Sequence, residues 1–314
     1  MTNLIERLLN GDIRALARVI TKVENRADGT VEILRALFPR GGGATIIGVT
    51  GSPGSGKSTL VDKLASGYRT SDKPVGVVAV DPSSPFTGGA ILGDRIRMHA
   101  LETDPGVYIR SMATRGHLGG LAAATTDVVT VLDAAGRDPV IVETVGVGQD
   151  EIDIVRLADV SVVVLVPGMG DDIQALKAGI MEIGDVFVIN KCDRPGVDKM
   201  ERAIQAMLSL GPGSNDWDPP IVRVVATRGE GVEELRGTIE DCRQHFRNQP
   251  VQSLRRRGAS KDRLMKLLEE RLVQSALEEF SDEEFEAAVD GISRREQDPY
   301  AVVEQILERL KRLT

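Results

Sequence analysis

Seven short runs rich in Val and Ile punctuate this chain: TIIGVT (45–50), PVGVVAVD (74–81), GVYIRSM (106–112), PVIVETV (139–145), VSVVVLV (160–166), DVFVIN (185–190) and IVRVVA (221–226). They lack the polar alternation of a strand with one wet face. Near-continuous β-branched runs separated by helical stretches belong to strands buried on both sides, which predicts a mostly parallel α/β sheet with helices on both faces. Ligands of such sheets sit at the carboxyl ends of the strands. Glycine and polar residues collect at those ends here, in TGSPGSGKST, DPSSP, ETVGVGQ, NKCD and ATRGEG. Helical periodicity flanks this region, giving three zones: an N-terminal helical extension (1–43), the sheet domain (44–245) and a C-terminal helical arm (246–314).

In the first zone Leu4, Ile5, Leu8 and Leu9 share one face. Asp12 is placed to cap a second helix carrying Ile13, Leu16, Ile20 and Val23. In the third zone Ser281 and Glu284 form a capping-box pattern, and Asp298-Pro299 opens a last helix. Its stripe of Val302, Val303, Ile306, Leu307, Leu310 and Leu313 needs cover, from its own domain or from a second copy.

The first polar loop carries chemistry. Gly51-x-x-x-x-Gly56-Lys57-Ser58 follows a buried run and precedes a helical one, the context a Walker A phosphate loop requires. Gly51, Ser52, Pro53, Gly54, Ser55, Gly56, Lys57, Ser58 and Thr59 would wrap backbone N–H groups around phosphate oxygens at a helix N-terminus. Lys57 would reach the β- and γ-phosphates, and the Ser58 hydroxyl a Mg²⁺ ion. At another strand end stands Asn190-Lys191-Cys192-Asp193. A carboxylate at Asp193 accepts from both N1–H and the N2 amino group of guanine; adenine leaves it unpaired, so the base is expected to be guanine. Ala226 and Thr227 would close over the base through a backbone N–H. Asp81, Asp94 and Glu143 lie where Mg²⁺ and the γ-phosphate belong, and a hard cation of this kind needs few protein ligands. Gly146 would offer an N–H to the γ-phosphate and Gln149 would orient water. The glycine-rich loops at 88–93, 115–120 and 168–172 suit segments that respond to phosphate state.

Composition excludes other classes. A net charge of −8 and an aromatic content of 3% argue against a nucleic-acid surface. The basic cluster Arg255-Arg256-Arg257 reads as a solvated linker. Cys192 and Cys242 have no metal-ligand spacing, and His99, His117 and His245 are scattered, which favours a reducing, cytoplasmic setting. The N-terminal segment lacks a signal-peptide pattern, and no apolar run is long enough to span a bilayer.

Taken together, LLNGDIRALARVITKVEN, TGSPGSGKST, AVDPSSP, GDRIRM, VETVGVGQ, VPGMGDDIQALKAGI and NKCD resemble the MeaB/ArgK family of SIMIBI-class P-loop GTPases. The resemblance implies Mg²⁺-dependent GTP hydrolysis to GDP. It also implies a homodimer joined through C-terminal helices, and service to an adenosylcobalamin-dependent acyl-CoA mutase, usually methylmalonyl-CoA mutase. The GTPase would protect and reload the mutase without itself binding cobalamin. It implies a Mg²⁺ and switch role for Asp81, Asp94 and Glu143, and a mutase-facing third switch containing Asp171, Asp172, Gln174 and Lys177. The chain departs from the family where Ser52 and Ser55 replace common valines, and where RSMATRGHLGG, with Arg115 and His117, is more basic than usual. Two alternatives stand beside this reading. One is a nickel-enzyme metallochaperone, which would need soft or imidazole ligands. The other is a GTP-binding scaffold without turnover.

Overall fold

The computed structural model describes residues 2–81, 101, 103–113, 120–144, 157–168, 184–209, 217–247, 249–278 and 281–311. All seven Val/Ile runs form strands: β1 (Ile46–Thr50), β2 (Val75–Asp81), β3 (Val107–Ala113), β4 (Val140–Glu143), β5 (Val160–Leu165), β6 (Val186–Asn190) and β7 (Ile221–Val224). They make one sheet in the order β3-β2-β4-β1-β5-β6-β7. Every pairing is parallel, with Ile47 opposite Ile141 on one side and Val160 on the other.

Successive residues along each strand serve opposite faces, and both faces are dry. On one face Val75, Val77, Ile141, Val160, Val162, Val186 and Val188 pack with α4 (Lys57–Arg69) and α7 (Val232–Arg247). On the other face Val78, Val80, Val140 and Val142 meet α5 (Gly120–Ala134) together with α1 (Thr2–Leu9), α2 (Ile13–Glu24) and α3 (Thr30–Leu37). Val163, Leu165, Phe187 and Ile189 meet α6 (Val197–Leu208) on that same side. This accounts for the missing polar alternation.

The N-terminal helices are therefore part of the sheet domain's core. Asp12 caps α2 as expected, its Oδ1 accepting from the N–H groups of Arg14 (2.8 Å) and Ala15 (3.1 Å). Glu24 at the end of α2 is buried and receives the Arg110 guanidinium from edge strand β3. The glycine linker after α3 closes on α5: Asp133 accepts from the N–H groups of Gly42, Gly43 and Ala44.

Aspartates also close the amino ends of the strands. Asp138 Oδ1 accepts from Thr45 N (2.9 Å), Asp159 Oδ2 from Ile46 N (3.0 Å) and Asp185 Oδ2 from Ser161 N (2.9 Å). The second oxygens of two of these carboxylates hold arginines of α8 (Pro250–Glu278): Arg255 Nη1 lies 2.9 Å from Asp185 Oδ1, and Arg256 Nη2 lies 2.9 Å from Asp159 Oδ1. Arg255 also stacks 4.7 Å from the Phe246 ring centroid. The basic cluster is thus no linker, and of its three arginines only Arg257 is left to solvent without such a pair among the described residues. The cluster is the start of a helix, fixed by two ion pairs whose acidic partners lie far away in sequence.

The chain divides into two compact units, Met1–Ala259 and Ser260–Thr314, the division falling inside α8. The expected boundary at 245/246 falls inside α7. In the second unit α9 (Asp282–Ser293) begins with the expected capping box: Ser281 Oγ accepts from Glu284 N, and the Glu284 carboxylate accepts from Ser281 N. The last helix, α10 (Pro299–Lys311), starts at the expected proline, and Asp298 Oδ1 accepts from Ala301 N. Of its apolar stripe Val302 is buried, whereas Val303 and Leu307 are 52% and 49% exposed. No helix among the described residues is long and apolar enough to cross a membrane.

Candidate nucleotide-binding site

β1 is central, and its carboxyl end delivers the chain into residues 51–56 and then α4. Three glycines make the turn with positive φ: Gly51 (144°), Gly54 (78°) and Gly56 (88°). Two of them are also forced by space. A Cβ at Gly51 would lie 2.1 Å from the Val164 carbonyl oxygen, and one at Gly56 would lie 2.5 Å from Asn190 Nδ2. No side chain fits at either position without moving β5 or the β6 end. The loop tip, Pro53 and Gly54, is exposed, while Lys57 and Ser58 at the helix start are buried.

Lys57 curls back over its own loop, Nζ donating to Gly51 O (2.6 Å) and Ser52 O (3.1 Å). A buried ammonium needs acceptors, and the loop carbonyls supply them. Phosphate oxygens at the loop mouth would supply stronger ones. Ser58 Oγ donates to Glu143 Oε1 at 2.6 Å in a buried contact that joins α4 to the end of β4. Two oxygen donors of the hard kind thus meet at one point, a set that suits Mg²⁺. Asp81 is the last residue of β2; Asp94, Gly146, Gln149, Asp171, Asp172, Gln174 and Lys177 lie outside the described residues, as do Arg115 and His117.

The Asn190-Lys191-Cys192-Asp193 motif leaves β6 directly beside the phosphate loop. Asn190 Nδ2 donates to Ser55 O (2.8 Å), and its Oδ1 accepts from Lys191 N (2.8 Å) and Ala226 N (3.1 Å). One amide therefore ties the phosphate loop, the β6 end and the turn after β7. Lys191, at φ 58°, sends Nζ to Gly54 O (2.7 Å), a second link to the phosphate loop. Asp193 is exposed at the mouth, free of the packing that holds Asn190. Ala226 and Thr227 open a short 3₁₀ turn, and the Ala226 N–H is used to brace Asn190. Between these groups, burial pushes the Cys192 thiol up, and Sγ donates to Ile189 O at 2.9 Å, so it is a packed thiol rather than a nucleophile.

The structure brings the Walker A loop, Glu143, Asn190, Lys191, Asp193, Ala226 and Thr227 to the carboxyl edge of four adjacent or near-adjacent strands. Three contacts had no signature in the sequence: Ser58 to Glu143, Asn190 to Ser55, and Lys191 to Gly54. Each joins motifs 85 to 137 residues apart. Ser55 Oγ and Thr144 Oγ1 are buried at this edge and have no hydrogen-bond partner among the described residues.

A family model described as methylmalonyl Co-A mutase-associated GTPase MeaB matches residues 16–281. A Pyrococcus abyssi protein named as a GTPase is 47% identical over 98% of this chain and 96% of its own length. GTPase ArgK of Escherichia coli is 38% identical over 76% of this chain and 74% of its own. A solved structure titled LAO/AO transport system kinase superposes with a TM-score of 0.72 at 26% identity, covering 99% of this chain and 97% of that one. A phosphate loop wired to the end of β6, in a chain matched over this length, leads to one conclusion: the chain belongs to the MeaB family of GTPases.

Proposed function

We propose that this GTPase serves an adenosylcobalamin-dependent acyl-CoA mutase, methylmalonyl-CoA mutase in the first instance, gating cofactor loading and protecting or reactivating the enzyme. The family match over residues 16–281, with its mutase-associated description, carries this reading. In it, residues 44–245 are the nucleotide engine, 1–43 an extension packed on it and 246–314 a dimerisation arm, and the protein works in the cytoplasm. Support for a dimer comes from the second unit, where Leu264, Leu268 and Leu272 follow one another at one-turn spacing on α8 with 66%, 48% and 53% exposure. An exposed apolar stripe of this kind marks a surface suited to contact with another chain.

The chain's own residues supply the hydrolytic framework. Lys57 exchanges its two carbonyl acceptors for the β- and γ-phosphates and stabilises charge there. Asn190 and Lys191 hold the phosphate loop in register with the base pocket, and Asp193 accepts from guanine. Ser58 and Glu143 would hold Mg²⁺ with Asp81 and Asp94, and the ion would supply charge neutralisation at the phosphates. Gln149 and Gly146 are assigned to water and γ-phosphate contacts.

The test is phosphate release from GTP with Mg²⁺, alone and with purified methylmalonyl-CoA mutase. A several-fold rise on adding mutase is expected. No response to this or any other adenosylcobalamin-dependent acyl-CoA mutase would overturn the reading while leaving the GTPase intact.

A further inference from the structure

Helix α2 of this acidic chain carries a basic ladder. On α2, Arg14, Arg18 and Lys22 recur every four residues and all are exposed. The side chains of Arg14 and Arg18 have no ion-pair partner among the described residues; Lys22 has only a long 3.5 Å contact to Asp28 O. Beside the ladder runs an apolar strip, Ile13 (39% exposed) and half-buried Ala17, next to Leu4 of α1. Cations kept unpaired beside an apolar strip form the kind of surface that binds an acidic amphipathic helix.

Such a helix exists in the same chain. On α9, Glu283, Glu286 and Asp290 are exposed at one-turn spacing, and beside them Phe285 and Val289 are 39% and 44% exposed. On ideal helices of roughly 3.6 residues per turn, the apolar pair is displaced from the charge ladder by about 110–120° in the same rotational sense on both α2 and α9. Two helices with like-handed offsets match both stripes only when they run antiparallel. Arg14 then faces Asp290, Arg18 faces Glu286 and Lys22 faces Glu283, while Ala17 and Ile13 face Phe285 and Val289.

We infer that α9 of a second copy of this chain docks antiparallel on the α1–α2 surface. The inference rests on the dimer reading above and assigns it a specific, charge-paired contact between two chains. It makes the contact reciprocal, each copy offering one α2 and receiving on it one α9.

Molar mass by light scattering and sedimentation velocity on the full chain tests it, for the wild type, Arg14→Glu with Arg18→Glu, Glu286→Lys with Asp290→Lys, and all four changes together. All four positions are exposed, and a thermal melt checks that each variant is folded. Each pair of reversals is expected to weaken the dimer by at least about tenfold, and the four together to restore it to within about threefold of wild type. A monomeric wild type would overturn the dimer reading, and the docking with it. A dimer indifferent to either pair would overturn the docking alone. Weakening by both pairs without restoration would overturn the direct pairing.

Discussion

Replacing Arg255 by Met removes one of the two ion pairs that hold the start of α8. Asp185 is 4% exposed in its side chain and has two main partners, Ser161 N–H and Arg255 at 2.9 Å each. Methionine keeps the apolar length of the side chain but removes the guanidinium from the Phe246 ring and from the carboxylate, which is left with Ser161 alone. Removing one member of a buried pair costs roughly 3–5 kcal/mol. Arg255 is itself 38% exposed, so water reaches part of the vacated space, and a loss of about 2 kcal/mol is expected. The sign with pH follows from Asp185. Burial already raises its carboxyl above the ordinary range, and Arg255 opposes that rise. Without Arg255 the folded-state pKa climbs further above the unfolded value. The extra penalty is then full at neutral pH and fades as pH falls through the folded-state pKa toward about 4. Trp217 is the only tryptophan in the chain, and its Nε1 donates to Asp185 O at 2.9 Å, so its fluorescence reports this region directly. Urea midpoints of variant and wild type, compared at about pH 7.5 and pH 4.5, give the difference. A loss below about 0.5 kcal/mol, or one equal at both pH values, refutes the argument. Adding Asp185→Asn to the variant should recover most of the loss, since the amide oxygen still accepts from Ser161 N and no charge is buried.

Asn190→Ala removes the donor to Ser55 O and the acceptor for Lys191 N and Ala226 N. A loss of about 2–4 kcal/mol and at least a tenfold drop in GDP affinity are expected, read by urea unfolding and by fluorescent-nucleotide titration. Asp193→Asn turns one acceptor into a donor, and competition with ITP and XTP should show reduced preference for guanine; an unchanged preference would assign the base contact elsewhere. Ser55→Ala deletes a buried hydroxyl with no partner, so stability should hold or rise by up to about 1 kcal/mol, and a loss of that size would reveal a bonded hydroxyl.

The strands, the phosphate loop and the helix caps were legible because each is written locally. Seven β-branched runs became seven strands, and Asp12, Ser281 and Pro299 sit where a cap or first turn demands them. The integration of α1–α3 into the core was hidden, because an amphipathic helix does not state what covers it. Arg255 and Arg256 were misread for a related reason. A charge run looks solvated until its partners are found, and these stand 70 and 97 residues away. In the site, residue types and strand ends were readable, but the Asn190 brace exists only once β6, β7 and the phosphate loop lie side by side.

The aspartates at the amino ends of the strands have a consequence for how the sheet is assembled. Val recurs so regularly in β5 that sliding it by two residues would still return apolar side chains to each face over most of its length. Side-chain packing alone gives little penalty for that slip. Asp159 and Asp185 each stand just before a strand and accept the N–H of a residue at the start of its neighbour, β1 or β5. A two-residue slide of β5 would part both carboxylates from these backbone donors. Since β1 and β6 each deliver part of the candidate nucleotide site, aspartates at the far edge of the sheet fix how Lys57 and Asn190 come level with one another.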